Sequence, residues 1–452
     1  MTTPPPVQPP ARAPVPPPTE GQPGPPWVVG RALVSAAAAG LVLLTVGVLA
    51  GRPDVALLGA GPVVMMLGAL WNRQRGEVWV DVVRLPTVPG ELAGRVHLTA
   101  PPGTTAVRLR VSRPGHGITE ALVHVPGERA LDVRASSVRT GPQRLFRVEH
   151  QGLGGTATLS GPPAATDAET VLVLPAARQM PALPMPTRLR GLTGQHDSRR
   201  PGEGGGLRDV HPFSPGDNPR LVDWKVTARR SPRLEQLYVR RTMALGEASV
   251  MLVVDSRDDV GPDPLTWSGM RAIRPDDATS LDLARQAAAT VAQGYLTVGD
   301  RVGVTDLGVR RRALRPGTGR RHLNRVLHQL ALLHPEGDPP DRVRPPRMTS
   351  GSMIYLFSTF LDPEAAEMAR AWRRMGQRVI AVDVLPRIRT RGLDAEHWLA
   401  LRIARLARDD RLADLAAVGV EVLHWADVEQ TTATLQLAAR RSHSRRDVEV
   451  PR

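Results

Sequence analysis

The chain has 452 residues, 41% of them apolar, which allows two or three domains with real hydrophobic cores. Aromatics are only 3%, so those cores are aliphatic, and the absence of cysteine excludes disulfides, zinc–thiolate sites and thiol catalysis. A net charge of +15 favours anionic partners such as lipid headgroups or acidic protein surfaces, while the scarcity of rings for base stacking argues against nucleic acid.

Twelve of the first 26 residues are proline, which can form neither a helix interior nor a sheet ladder, so residues 1–26 are expected to be a disordered, polyproline-like tail. Two uncharged apolar runs follow, Ala32–Ala50 (19 residues) and Val55–Trp71 (17 residues). Each is long enough to cross a bilayer. The four residues between them, Gly51 to Asp54, force an antiparallel transmembrane hairpin over 27–75. Trp27 and Trp71 stand where interfacial anchors belong. Arg31, Arg73 and Arg75 flank the runs while the connecting loop is neutral, so the positive-inside rule puts both termini in the cytoplasm.

Over 76–177 the period changes to two. Val78, Val80 and Val82 alternate with Trp79 and Asp81, and Val107, Leu109 and Val111 alternate with Arg108, Arg110 and Ser112. Short runs of this kind between Pro-Gly and Gly-Gly turns predict an antiparallel β-sandwich. It shows no constellation of acids or histidines and reads as a spacer or docking module.

Residues 178–248 form a basic segment: Arg178–Arg241 holds 13 basic residues against six acidic ones. The stretch Gly202–Gly206 and the turn after it read as too glycine-rich for regular structure. The segment also holds the only lysine, Lys225, among 59 Lys plus Arg. A compact ammonium does a different job from a planar guanidinium, so a lysine beside Asp223 and Trp224 points to a functional position. A dense turn signal, Pro215 to Arg220, precedes it.

From 249 to 440 the pattern is α/β. Strands are expected at Ser249–Asp255, Arg301–Leu307, Met353–Thr359, Val379–Leu385 and Val420–Trp425. Helices are expected at Leu281–Leu296, with Thr279 or Ser280 as cap, at Arg320–Leu333, Glu364–Met375 and Leu393–Ala417, and at the end of the domain. Such alternation predicts a parallel sheet with helices on both faces. Residues 441–452 read as a second disordered tail.

No standard catalytic motif is present. A P-loop requires Gly-Lys-Ser/Thr, and the only lysine follows Trp224. There is no G-x-S-x-G elbow and no H-E-x-x-H helix.

Gly216, Asp217, Arg220, Asp223, Trp224, Ala228 and Arg229, with Val222 in an aliphatic position, match in register the pattern G-D-x-x-R-x-I-D-W-x-x-x-A-R. The chain therefore resembles the bacterial domain-of-unknown-function family fifty-eight, in which this signature precedes a von Willebrand factor A-like domain. The resemblance implies a non-enzymatic, membrane-anchored accessory protein whose partner is a MoxR-class AAA+ ATPase or its client, acting in assembly or maturation of other proteins. It makes Gly216, Asp217, Arg220, Asp223, Trp224 and Arg229 candidate partner-binding residues, and Lys225 joins them as the only lysine of the chain. Two rival readings stand beside it. One is a metal-dependent hydrolase using Asp217, Asp223 and Asp255; the other is a membrane scaffold independent of any ATPase.

The same fold implies an ion site at the carboxyl ends of the strands, D-x-S-x-S with a later threonine and aspartate, suited to Mg²⁺. Asp255 keeps the first aspartate and Thr318 supplies a threonine. Arg257 and Asp259 occupy the two serine positions, and Thr359 replaces the later aspartate. Arginine cannot ligate a cation, so the site is expected to be degenerate and no cofactor is expected.

Overall fold

A computed structural model describes residues 25–71, 75–113, 115–154, 158–180, 183–186, 189, 194–202, 206–308, 313–335, 346, 348, 351–427 and 431–439. Residues 1–24, Arg73 and the 441–452 tail lie outside the described residues. The chain divides into two compact units, Met1–Ser137 with Pro142–Val173, and Val138–Gly141 with Leu174–Arg452.

The first unit opens with a short strand, β1 (Val28–Val29), and two helices, α1 (Arg31–Leu49) and α2 (Pro53–Trp71). Both helices are long and apolar enough to cross a membrane. They approach closely because small residues meet where they touch. A Cβ added at Gly59 would lie 2.3 Å from the Gly40 carbonyl oxygen, and one at Gly47 would lie 2.4 Å from the Ala56 nitrogen. Such small-residue contacts are what bring apolar helices together where burial from water contributes nothing.

The strands of this unit are β2 (Trp79–Arg84), β3 (Glu91–Thr99), β4 (Thr104–Ser112), β5 (Thr119–His124), β6 (Glu128–Ser136), β7 (Gly141–Arg144), β8 (Arg147–Gly154), β9 (Leu159–Ser160), β10 (Ala164–Ala165) and β11 (Thr170–Val173). One sheet runs β1-β9-β8-β4-β5 with β10 beside β8; another is β2-β3-β6, and β11 pairs β7. Alternation aims one side of each strand inward. Val80, Val96 and Leu98 of the three-stranded sheet thus cluster with Val107, Leu109 and Val148 of the larger one.

Trp27 departs from expectation. Expected as an interfacial anchor, it is only 4% exposed, packed with Leu33, Ala69 and Leu159. Its Nε1 donates to the Gly76 carbonyl at 2.9 Å. Gly152 and Gly161 make room for the indole, since a Cβ at either would lie 2.6 or 3.0 Å from it. Trp71, by contrast, is 88% exposed.

The second unit begins with a sheet that the sequence did not announce: β12 (His196–Pro201), β13 (Leu207–Pro212) and β14 (Tyr238–Gly246), in the order β12-β14-β13. Between β13 and β14 lies a short helix, α3 (Trp224–Arg230). The glycine-rich stretch sits between β12 and β13, both of which pair antiparallel with β14.

The remainder comprises β15 (Ser249–Val254), α4 (Ser280–Thr297), β16 (Arg301–Asp306), β17 (Leu314–Gly317), α5 (Arg320–Ala331), β18 (Met353–Ser358), α6 (Pro363–Arg374), β19 (Arg378–Asp383), α7 (Ala395–Ala417) and β20 (Glu421–His424). The strand order is β17-β16-β15-β18-β19-β20. Neighbours from β16 to β20 pair parallel, and β17 joins antiparallel at the edge. All six residues of β15 are buried, as a continuous apolar strand covered on both faces must be. Ala365, Met368, Ala369 and Trp372 of α6 and Leu412 and Leu415 of α7 pack on Met251, Val253, Ile354 and Leu356. Tyr355 points to the opposite face, where its hydroxyl lies 3.0 Å from that of Tyr295 on α4. Local chemistry sets the helix starts. Thr279 and Asp282 form a reciprocal capping box on α4, and Asp362 and Asp394 cap α6 and α7.

Candidate functional site

The signature is a turn and a helix start braced on β14. Gly216 adopts φ +99, the left-handed region open to glycine, and this closes the turn in which Ser214 N donates to Asp217 Oδ2 at 2.8 Å. The same carboxylate accepts from His211 Nε2 at 2.9 Å and from Arg241 Nη2 at 3.4 Å. The Ser214 backbone donor first, and then His211, hold the Asp217 carboxyl below the usual carboxylate range.

Asn218 caps one 3₁₀ turn, Pro219–Leu221, by accepting from Arg220 N at 3.0 Å. Asp223 then caps α3. Its Oδ1 accepts from Lys225 N at 3.1 Å and Val226 N at 3.0 Å, and its Oδ2 lies 3.3 Å from Arg240 Nε. Its backbone N–H donates to Tyr238 at 2.8 Å. Buried Thr227 accepts from Tyr238 N at 3.0 Å, stitching the helix to the strand.

These contacts divide the seven candidates. Gly216 is exposed and serves the turn through its positive φ, while the partly buried Asp217 and Asp223 hold the backbone. Arg220, Trp224, Lys225 and Arg229 are exposed, Trp224 by 64%. No salt bridge joins Arg220, Lys225 or Arg229 to another described residue. The partners of the two acids, His211, Arg240 and Arg241, escaped the sequence reading. The one available signal was the pair of adjacent arginines on an extended stretch, where consecutive side chains point to opposite faces and so can serve two different acids.

A second polar constellation lies at the carboxyl ends of the parallel strands. Register puts Val254 opposite Asp306 and Phe357, Ser358 opposite Asp383, and Asp383 opposite His424. Asp255, Asp306, Ser358, Asp383 and His424 therefore form one row across the sheet. Arg257 returns onto Asp255 with both forks, Nε to Oδ1 at 2.8 Å and Nη2 to Oδ2 at 3.0 Å. Ser358 Oγ donates to the same carboxylate at 2.8 Å. The remaining arm, Arg257 Nη1, bonds Glu364 and lies 3.5 Å from Asp362, both at the start of α6. Burial alone would lower the Arg257 pKa, but the Asp255 carboxylate raises it above the usual arginine value.

Along the row, Ser256 Oγ donates to Asp306 at 2.7 Å, and burial still pushes the Asp306 carboxyl up. Burial, with Asp255 nearby, also raises Asp258. Arg408 of α7 pairs with Asp383 and donates from Nε to the Thr359 carbonyl at 2.7 Å. Arg411 donates to the carbonyls of Phe360 and Leu361, both at 2.8 Å. Phe360 sits at φ +55, a left-handed conformation that these contacts help fix.

The five residues expected at the ion site do not gather. Asp255 and Arg257 meet. Asp259 accepts from Leu281 N at 3.3 Å, at the start of α4, and the Thr359 hydroxyl accepts from Leu361 N at 3.3 Å. Thr318 stands at the opposite end of the sheet. It follows Gly317, which pairs with Val302 near the start of β16, whereas Asp255 lies level with the end of that strand. Val302 is level with Val250, and Asp255 lies five residues further along, roughly 16 Å at about 3.3 Å per residue. Asp217 and Asp223, braced on β14, share no hydrogen bond with Asp255 among the described residues. Among the described residues no group of three or more His, Asp or Glu side chains is placed to hold a metal ion.

No curated protein matches the chain. Residues 209–390, from β13 through the signature and the strands β15 to β19, match the family model described as "Protein of unknown function DUF58". That match supports the family resemblance carried by the signature residues.

Proposed function

We propose that this protein is a non-enzymatic, membrane-anchored adaptor that presents its signature surface to a MoxR-class AAA+ ATPase or to that ATPase's client. The observation that carries the reading is the exposure of Trp224 and Lys225 on the first turn of α3, while Asp223 and Asp217 fix that turn from within. An indole and a lone ammonium held outward on a braced backbone suit recognition of an acidic partner. Tryptophan is among the few residue types that supply most of the energy in many interfaces, and a lysine beside it steers an acidic partner. The partner class comes from the family resemblance. The parallel pairing of β15, β16, β18, β19 and β20 supports a von Willebrand factor A-like reading of the second unit. The shared core of the two sheets in the first unit supports a β-sandwich. The two apolar helices, with their arginine flanks, support a hairpin that leaves both termini in the cytoplasm.

The test is co-purification of the full chain, in detergent, with a MoxR-class ATPase from the same genome. Wild type is expected to retain the ATPase, and Trp224→Ala and Lys225→Ala are expected to lose it without a change in melting temperature. Retention by both variants sinks the assignment of this surface. The hydrolase reading makes the opposite demand, metal-dependent turnover abolished by Asp255→Asn. A phosphatase fused after Arg452 is expected to be inactive, and an active fusion reverses the topology.

A further inference from the structure

A fold of this kind invites a divalent cation beside Asp255, and the residues present do not fit one. Both Asp255 oxygens already accept from one guanidinium, at 2.8 and 3.0 Å, and Oδ2 accepts from Ser358 as well. The threonine that would complete the coordination lies at the other end of the sheet. Where an ion would bridge a strand-end aspartate and a carboxylate arriving from outside, Arg257 bridges Asp255 to Glu364, with Asp362 3.5 Å away.

We infer that Arg257 is a covalently tethered cation and Glu364 its built-in carboxylate ligand, so that this site is closed both to metal and to an outside acidic side chain. The geometry favours the guanidinium for a physical reason. Its fork matches a carboxylate bidentately and leaves a third arm free, whereas a hydrated Mg²⁺ requires near-octahedral oxygen donors. The pair is buried on both sides, Arg257 at 11% and Asp255 at 6% side-chain exposure. Removing one member therefore strands the other charge without solvent. The bridge also spans 107 residues of sequence, tying the loop after β15 to the start of α6. It thus does for loop order what an ion does in a metal-bound relative of the fold. The inference stands apart from the choice of partner. If the signature surface is the docking face, this edge of the sheet is not needed as a second one.

The experiment uses the full chain in detergent micelles and reads two quantities, melting temperature and direct Mn²⁺ binding by electron paramagnetic resonance. For wild type, millimolar Mg²⁺, Ca²⁺ or chelator is expected to leave the melting temperature unchanged, with Mn²⁺ remaining free. Arg257→Ser is expected to lower the melting temperature by roughly 5 °C. It is also expected to acquire Mn²⁺ binding and partial recovery with Mg²⁺, because the emptied position leaves Asp255, Glu364 and Ser358 facing one another, and a ligand that binds only the folded state raises its stability. Should Arg257→Ser fail to fold, Glu364→Gln supplies the test: it keeps the Asp255 pair, and is expected to melt lower than wild type and to bind no Mn²⁺. Metal-dependent stabilisation of wild type, or an Arg257→Ser protein that melts like wild type without metal, overturns the inference. Loss of ATPase binding by Trp224→Ala bears on neither quantity, so failure here and failure of the adaptor reading remain distinct.

Discussion

His424 donates from Nδ1 to Asp383 at 2.8 Å, joining the last two strands of the parallel sheet through an ion pair at their carboxyl ends. The Asp383 hydrogen bond raises the His424 pKa, against burial. The Asp383 carboxyl is opposed by burial but held below the usual carboxylate value by His424 and Arg408. A histidine whose folded pKa is raised contributes stability that is full below its unfolded value and lost as pH rises through the folded one. An aspartate whose pKa is depressed contributes above its unfolded value and loses that contribution as pH falls through the folded one. The pair is therefore strongest between about pH 4 and about pH 6.5. The melting-temperature difference between wild type and His424→Gln is expected to be largest near pH 5.5 and to shrink at alkaline pH. His424 is 40% exposed, so solvent screening keeps the effect at or below about 1 kcal/mol. A difference that grows with pH contradicts the assignment.

The signature separates bracing from recognition. Asp223→Ala removes the α3 cap, a loss of about 1 kcal/mol. Its other partner, Arg240, is 56% exposed and stays solvated when left alone. Lys225→Ala removes an exposed side chain and is expected to change stability by less than about 0.5 kcal/mol. Chemical denaturation of the two variants distinguishes them, and equal destabilisation would show that Lys225 has a structural role.

The helical hairpin makes a prediction that depends on which face a glycine occupies. Gly59→Leu drives a side chain into the Gly40 carbonyl, whereas Gly61 has no atom within 4 Å of its would-be Cβ. Gly59→Leu is expected to separate the helices at a cost above about 2 kcal/mol, seen as loss of a disulfide cross-link engineered between α1 and α2. Gly61→Leu is expected to cross-link like wild type.

The two tryptophans flanking that hairpin should behave oppositely. Trp27→Ala empties a filled site and takes the donor from the Gly76 carbonyl, with an expected loss of about 3–5 kcal/mol. Trp71→Ala, at a position 88% exposed, is expected to leave the unfolding transition of the first unit unchanged. Equal effects of the two would place both rings at a bilayer interface.

Much of the α/β arrangement was legible because its signals are local. β15 reads as a buried apolar run, and Thr279 announces α4 as a cap within three residues of the group it satisfies, whereas the caps Asp362 and Asp394 were not picked out. The sheet β12-β14-β13 was not legible. His196–Pro201 and Leu207–Pro212 are polar or charged at most positions, and only pairing with distant β14 makes them strands. Thr318 was misplaced for the same reason. Its turn is written locally, but its position at one end of the sheet is set by the register of the short strand β17 on β16. Arg257 was legible as an intruder at a serine position. Glu364, which completes its bridge, lies too far along the chain for any spacing rule to reach.

The fit of Trp27 into the first unit has a mechanical consequence. The chain enters the hairpin beside β9, through β1, and leaves it at Gly76, whose carbonyl the Trp27 indole grips; Pro26 and Arg75 form a bridge at the same place. Entrance and exit are thus fastened to one spot on the β-structure rather than hung on a flexible stalk. Tilting the two helices must therefore apply torque to that sheet.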